Sequence, residues 1–210
     1  MKGKFITVEG GEGAGKSTCL ATILSVLEDH AIPHVTTREP GSTPAGERIR
    51  SILLDAELDD LCPEAELLLM YAARAELLAE TIRPALAAGQ WVVSDRFSDA
   101  SYAYQGGGRG LPRERLDRLE EWIVGDCRPH LTILLDVDPE AGLARAVHAR
   151  EADRFEREAA LFYTRVREAY LRIAAAEPER IKVVDAGQSL ETVRRAVHRE
   201  VSDFVGARVA

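Results

Sequence analysis

The chain is predicted to fold as an α/β structure: a five-stranded parallel sheet with helices on both faces and a short lid. Three observations predict this. Apolar runs recur at 4–8, 34–37, 91–94, 131–135 and 181–184, with helical stretches between them, an alternation that builds parallel sheets. The first run enters a glycine-rich loop that is followed by a helical pattern. With 210 residues, 46% hydrophobic and 30% charged, the chain suffices for one α/β domain spanning 1–210 with a well-buried core.

Taken in order, Phe5-Ile6-Thr7-Val8 reads as the first strand. Gly10-Gly11-Glu12-Gly13-Ala14-Gly15-Lys16-Ser17 follows, and Leu20, Ile23, Leu24 and Leu27 then give a helix one apolar face. The second strand ends in Arg38-Glu39-Pro40-Gly41. Pro63 starts a long helix through Ala87, which Gly89 closes. The third strand ends in Asp95-Arg96 and the fourth in Asp136. Asp138-Pro139-Glu140 has the form of an N-cap with proline at the first helical position. The fifth strand ends in Asp185-Ala186-Gly187, and Leu190, Val193, Val197, Val201 and Phe204 stripe the last helix. Charged and turn-forming residues thus gather beyond the carboxyl ends of the strands, where open α/β sheets bind ligands.

The glycine-rich segment matches the Gly-x-x-x-x-Gly-Lys-Ser pattern of a phosphate-binding loop in its required context of strand, loop and helix. Its backbone N–H groups and the helix dipole suit an anion. Lys16 would reach the β- and γ-phosphates, and Ser17 would offer a hydroxyl to Mg²⁺. The loop does not distinguish ATP from GTP. Glu12 inside such a cradle repels phosphate, so a partner must offset its charge; a sugar hydroxyl is one candidate, and orientation toward solvent is another. Asp95 could hold Mg²⁺ and Arg96 could clamp a phosphate, or the two could form a structural ion pair. Arg74 shares a helix face with Leu67, Met70, Tyr71, Leu77 and Leu78. It needs either a salt bridge or an oxygen of a bound base or phosphate. Ser101 through Gly108, with Tyr104 and Gln105, could line a base pocket, its glycines forming a flexible or tightly turned loop. Arg145, Arg150 and Arg154 flank a polar stretch that reads as a lid at about 146–156 or as a solvated basic face.

Composition narrows the classes. A net charge of −8 argues against a nucleic-acid-coating surface. Cys19, Cys62 and Cys127 are widely spaced and odd in number, so neither a disulfide framework nor a zinc site is expected. No apolar signal stretch or membrane-length segment is read, and a cytoplasmic setting is expected.

These motifs, in this order, resemble the bacterial thymidylate kinases. The resemblance rests on Val8 to Thr18, Thr37-Arg38-Glu39-Pro40-Gly41, Tyr71-Ala72-Ala73-Arg74 and Asp95-Arg96-Phe97. Ala103 to Gly110, Leu135 to Glu140 and Asp153-Arg154-Phe155-Glu156 complete it. It implies the P-loop kinase fold, a homodimer, and the reaction ATP + dTMP → ADP + dTDP with Mg²⁺. It implies that Gly10 to Thr18 bind ATP, with Lys16, Arg96 and the lid arginines Arg150 and Arg154 catalytic. Ser17 and Asp95 would serve the metal. Glu12 would accept from the dTMP 3′-hydroxyl, and Arg38 and Arg96 would hold its phosphate. Arg74 would donate to a thymine carbonyl, with Met70, Ser101 and Gln105 near the base and Tyr104 crowding the sugar 2′ position. Three departures from the family pattern stand out: Ser42 for a second glycine, Met70 for a stacking phenylalanine, and Arg150 in the place of a lid glycine. The alternatives are a kinase for another nucleoside monophosphate and a P-loop regulatory ATPase. The base-pocket and lid residues have no clear task in the ATPase.

Overall fold

A computed structural model describes residues 3–58, 61–146, 155 and 160–209. The sheet comprises β1 (Phe5–Gly10), β2 (His34–Arg38), β3 (Trp91–Asp95), β4 (Leu131–Asp136) and β5 (Ile181–Asp185). All neighbours are parallel, in the order β2-β3-β1-β4-β5. Each strand runs one or two residues past its predicted apolar end. The reason is that the charged closing residues still pair through their main chains: Arg38 stands opposite Asp95, and Asp136 opposite Asp185.

Alternation along the strands loads both faces. Ile6 and Val8 point into a core shared with α1 (Lys16–Asp29) and the last helix. Phe5 points the other way, into a core with Val92, Phe97 and Leu77. The predicted long helix is helical throughout but not uniform. It runs as α3 (Pro63–Leu77), a π-helical turn Leu78–Ile82, and α4 (Arg83–Ala87). Pro84, which has no N–H to donate, lies just after the widened turn. Sequence reading singles out neither α2 (Pro44–Leu54), which Thr43 caps through Gly46 N at 2.9 Å, nor α6 (Arg113–Leu119).

The glycine run corrects an expectation. It is helix, not loop: α5 (Ser98–Ser101) continues as a π-helical segment, Tyr102–Gly108, packed on α8 (Ala160–Ala176). A Cβ on Gly107 would lie 2.5 Å from that of Ala169, and one on Gly108 2.5 Å from the Phe162 ring. The glycines are there for close approach rather than for turning.

Helix α7 (Pro139–Ala146) opens as predicted, with Asp138 Oδ1 accepting from Glu140 N at 3.0 Å. In α9 (Leu190–Val209) the buried stripe is Val193, Val197, Val201 and Val205, whereas Leu190 is exposed. Most of the predicted lid, with Arg150 and Arg154, lies outside the described residues.

Candidate active site

The phosphate loop connects β1 to α1, and the helix begins at Lys16. Gly13 and Gly15 take left-handed φ values of 65° and 91°, a region costly for residues with a Cβ. Gly13 is doubly required, since a Cβ there would lie 1.9 Å from Gly142 O on α7. Lys16 Nζ folds back onto the loop, donating to Gly11 O at 2.9 Å and Gly10 O at 3.3 Å. Burial lowers its pKa, and the Arg96 charge adds to that; Glu12, Asp95 and Glu9 oppose it.

A cavity of about 540 Å³ opens on this loop. Glu12 to Ser17 and Asp95 line one part, and Arg38, Met70, Arg96, Tyr104 and Gln105 line the rest. The wall also includes Arg145 and Phe155, which the sequence reading placed at or in the lid, and Glu39, Pro40, Arg50, Leu54 and Ala100, to which it gave no binding role. Leu54 and Ala100 carry no chemical signal, whereas Glu39 stands inside a motif already singled out. Gly10 and Gly11 line a smaller hollow beside Asp136 instead. A separate cavity of about 350 Å³ lies across the 98–108 helix, against α6 and α8, and none of the predicted site residues lines it.

Arg96 answers the question that Glu12 raised. Its Nη2 donates to Glu12 Oε1 at 2.6 Å and to Tyr104 OH at 3.0 Å. Its Nη1 donates to Gly10 O at 2.9 Å and Tyr170 OH at 3.3 Å. Tyr104 OH also donates to Glu12 at 3.2 Å. The carboxylate is therefore offset from within the protein, by a guanidinium that touches the loop itself. Arg96 is not ion-paired to Asp95 in this arrangement; Asp95 Oδ1 is buried with no hydrogen-bond partner.

Arg74 makes the salt bridge that its apolar helix face demanded. Its Nη2 meets Glu39 at 2.7 Å and also donates to Phe97 O and Ser101 Oγ, at 3.2 and 3.0 Å. The Tyr71 ring lies 4.5 Å from the guanidinium carbon. Burial lifts the Glu39 carboxyl above its usual range, and Arg74 pulls it back. Arg74 and Ser101 are fully buried, one layer behind the cavity wall that Glu39, Met70 and Gln105 form. Arg74 Nη1 in this layer and Gln105 Oε1 in the wall have no hydrogen-bond partner. Gln105 Nε2 is committed to Glu66 at 2.8 Å.

Arg38 is half exposed and paired with Glu47 at 2.7 Å. Ser42 adopts φ 66°, strained for a residue with a Cβ. Its hydroxyl helps hold the turn by accepting from Arg38 N at 2.8 Å, and its N–H donates to Glu47 at 2.6 Å. Ser17 is exposed at the start of α1. No group of three or more metal-ligating His, Cys, Asp or Glu occurs among the described residues. A magnesium site made of one hydroxyl, one carboxylate, waters and phosphate oxygens does not need such a group.

Comparison with known proteins follows the same geometry. The family model for thymidylate kinase matches residues 8–197. A thymidylate kinase of Methylobacillus flagellatus is 51% identical over 204 residues, 97% of this chain and 99% of the relative. One of Alkalilimnicola ehrlichii is 54% identical over 205 residues, covering 97% and 94%. The crystal structure of thymidylate kinase from Ehrlichia chaffeensis superposes with a TM-score of 0.77 at 29% identity, covering 96% of this chain and 99% of that one.

Proposed function

The chain belongs to the thymidylate kinase family, and from that premise we propose that its cavity takes ATP and dTMP and moves the γ-phosphoryl group between them, giving ADP and dTDP. The observation that carries this reading is the single cavity joining Lys16 and Ser17 to Arg38, Arg96, Tyr104 and Gln105. Donor and acceptor can meet there without a covalent enzyme intermediate, so the protein's task is positioning and charge neutralisation.

Lys16 would exchange the carbonyls of its own loop for the β- and γ-phosphates of ATP, which the N-terminus of α1 also faces. Arg38 and Arg96 would grip the acceptor phosphate, with Glu12 and Tyr104 at the sugar. Gln105 on the cavity wall would lie near the base and Met70 would pack on its ring; Arg74, one layer behind that wall, would reach a thymine carbonyl only through its unpaired Nη1 and a shift of the wall. Ser101 would serve by fixing Arg74. Ser17 and the unpaired Asp95 oxygen fit a hydrated Mg²⁺, which when bound neutralises phosphate charge. Arg150 and Arg154 would supply charge to the moving group from the lid, in a chain that works as one domain.

A homodimer is part of the same proposal. Helix α3 carries an apolar outer stripe as well as its inner one: Ala65, Leu68, Leu69, Ala72 and Ala75 are exposed or half-buried at helical spacing, with the exposed Glu64 and Glu76 at its ends. No helix among the described residues is long and apolar enough to cross a membrane, and a cytoplasmic enzyme is proposed. The test is an acceptor panel of nucleoside monophosphates assayed for ADP release. Preference for dTMP is expected, and absence of that preference overturns the reading.

A further inference from the structure

Glu9 is a carboxyl group at full burial on the central strand of the sheet. Burial raises its pKa to about 8, with Asp99 adding to the rise, while Arg96, Tyr170 and the Phe97 N–H pull it back. Such a group costs free energy unless its hydrogen bonds are made, and both of its oxygens are used. Oε1 accepts the main-chain N–H of Phe97 at 2.7 Å. Oε2 meets Tyr170 OH at 2.7 Å, and the same Tyr170 oxygen accepts from Arg96 Nη1 at 3.3 Å. One oxygen therefore holds the backbone just after Arg96, and the other holds its side chain through a tyrosine.

Arg96 needs such holding. It is a non-glycine residue at φ 68°, a conformation that persists only where its surroundings enforce it. Its N–H donates to Val8 O at 2.9 Å, and its carbonyl accepts from Ser94 Oγ at 2.7 Å. Those bonds secure the near side of the corner. On the far side, the Phe97 N–H is buried with Glu9 as its partner.

We propose that Glu9 is a positioning residue for Arg96 in phosphoryl transfer, acting through the Phe97 main chain and the Tyr170 hydroxyl. The proposal rests on the reading of Arg96 as a ligand of the acceptor phosphate. What Glu9 supplies is hydrogen bonding rather than charge. A glutamine keeps the Phe97 bond through its carbonyl and can still bridge to Tyr170, with its amide N–H donating to the hydroxyl oxygen in place of the bond that Tyr170 OH donates to Glu9. Alanine leaves the Phe97 N–H without a partner.

Steady-state kinetics with dTMP and ATP on a double-mutant cycle tests this. Glu9→Ala is expected to lower kcat/KM for dTMP by tenfold or more, roughly the cost of one buried unpaired donor, with KM for ATP unchanged. Glu9→Gln should recover most of that loss. In an Arg96→Lys background, Glu9→Ala should add less than about twofold, as expected of residues acting as one unit. Equal losses in both backgrounds, or no recovery with glutamine, overturn the proposal. Where Glu9→Ala does not fold, Tyr170→Phe carries the same cycle with a smaller loss. A wild-type chain that turns over no dTMP sinks the functional reading instead. The positioning role is then read from a crystal structure of Tyr170→Phe: Arg96 displaced from Glu12 and Tyr104 supports it, and Arg96 unmoved overturns it.

Discussion

At the scale of single residues, this site is a set of charges that only make sense in pairs. Lys16 bonds to the carbonyls of its own loop, so its removal should leave the loop folded and empty of its cation. Lys16→Ala is expected to cut turnover by orders of magnitude while dTMP binding, read by calorimetry, survives; near-normal turnover would remove Lys16 from the mechanism. Arg74 and Glu39 form a pair at almost full burial. Breaking a buried pair strands one charge at a cost of about 3–5 kcal/mol. Arg74→Ala should lose that much stability in denaturant unfolding, and adding Glu39→Gln should restore part of it. No recovery in the double variant would mean the loss came from packing alone. For Glu9 the folded pKa of about 8 exceeds the ordinary 4.5. Between those values the folded chain holds a proton that the unfolded chain has released, so stability falls as pH rises through the window. Glu9→Gln lacks that proton, and its stability relative to wild type should therefore climb from pH 5 to pH 8, the pH range about those two values. A flat difference counts against it. The sequence made the need for partners legible, as with Arg74 on its apolar face and Glu12 among phosphate-binding amides. It did not make the partners legible. Arg96 and Glu12 are 84 residues apart, and Tyr170 and Glu9 are 161 apart, so only the folded topology brings them together.

At the scale of elements, the helix from Ser98 to Gly108 builds one side of the cavity. Ala100, Tyr104 and Gln105 face the cavity beside the phosphate loop, while Gly107 and Gly108 press against α8. Glycine normally weakens a helix, by about 1 kcal/mol relative to alanine. Here alanine would be worse, because its Cβ would meet Ala169 Cβ at 2.5 Å and Arg165 O at 3.0 Å. Overpacking of that kind costs about 1–3 kcal/mol. Gly107→Ala should lower the unfolding midpoint accordingly. It should also raise KM for dTMP, because moving the helix carries Tyr104 and Gln105 with it. A stabilised Gly107→Ala protein would show that the helix can shift freely. The same contact explains why this stretch reads as a loop: three glycines in a row break helices by local propensity, and the compensation comes from α8, some sixty residues later in the chain. The strands were legible for the opposite reason. The runs of β1, β3 and β4 are set by burial on both faces, a property that each run carries in itself, whereas the edge strands β2 and β5 are only partly buried.

At the scale of the molecule, the chain is acidic, with a net charge of −8, yet it gathers Arg38 and Arg96 at the sheet's carboxyl edge, at the ends of β2 and β3. Among the described residues, the outer side of α3 stands out. An ordinary surface helix buries one apolar stripe and turns a polar one outward. In α3 the inner stripe, with Leu67, Met70, Arg74 and Leu77, is buried as expected, yet Leu68 on the opposite side is 58% exposed. Ala65, Leu69, Ala72 and Ala75 continue that outer stripe. The first turn of α3 is tied to α6 by Glu64 and Arg115 at 2.7 Å, and Trp122, in the π-helical segment that extends α6, is 79% exposed. A second copy of the chain docking across α3 would remove this surface from water, and a two-fold arrangement places Leu68 against the same patch on its partner. The expected mass by sedimentation velocity is therefore that of a dimer. Leu68→Arg should shift it to the monomer, since two guanidinium groups would be desolvated against each other without partners. The shift should come without loss of dTMP binding, because Leu68 is not among the residues lining the cavity. A wild-type chain that sediments as a monomer, or a Leu68→Arg variant that still dimerises, would move the interface away from α3.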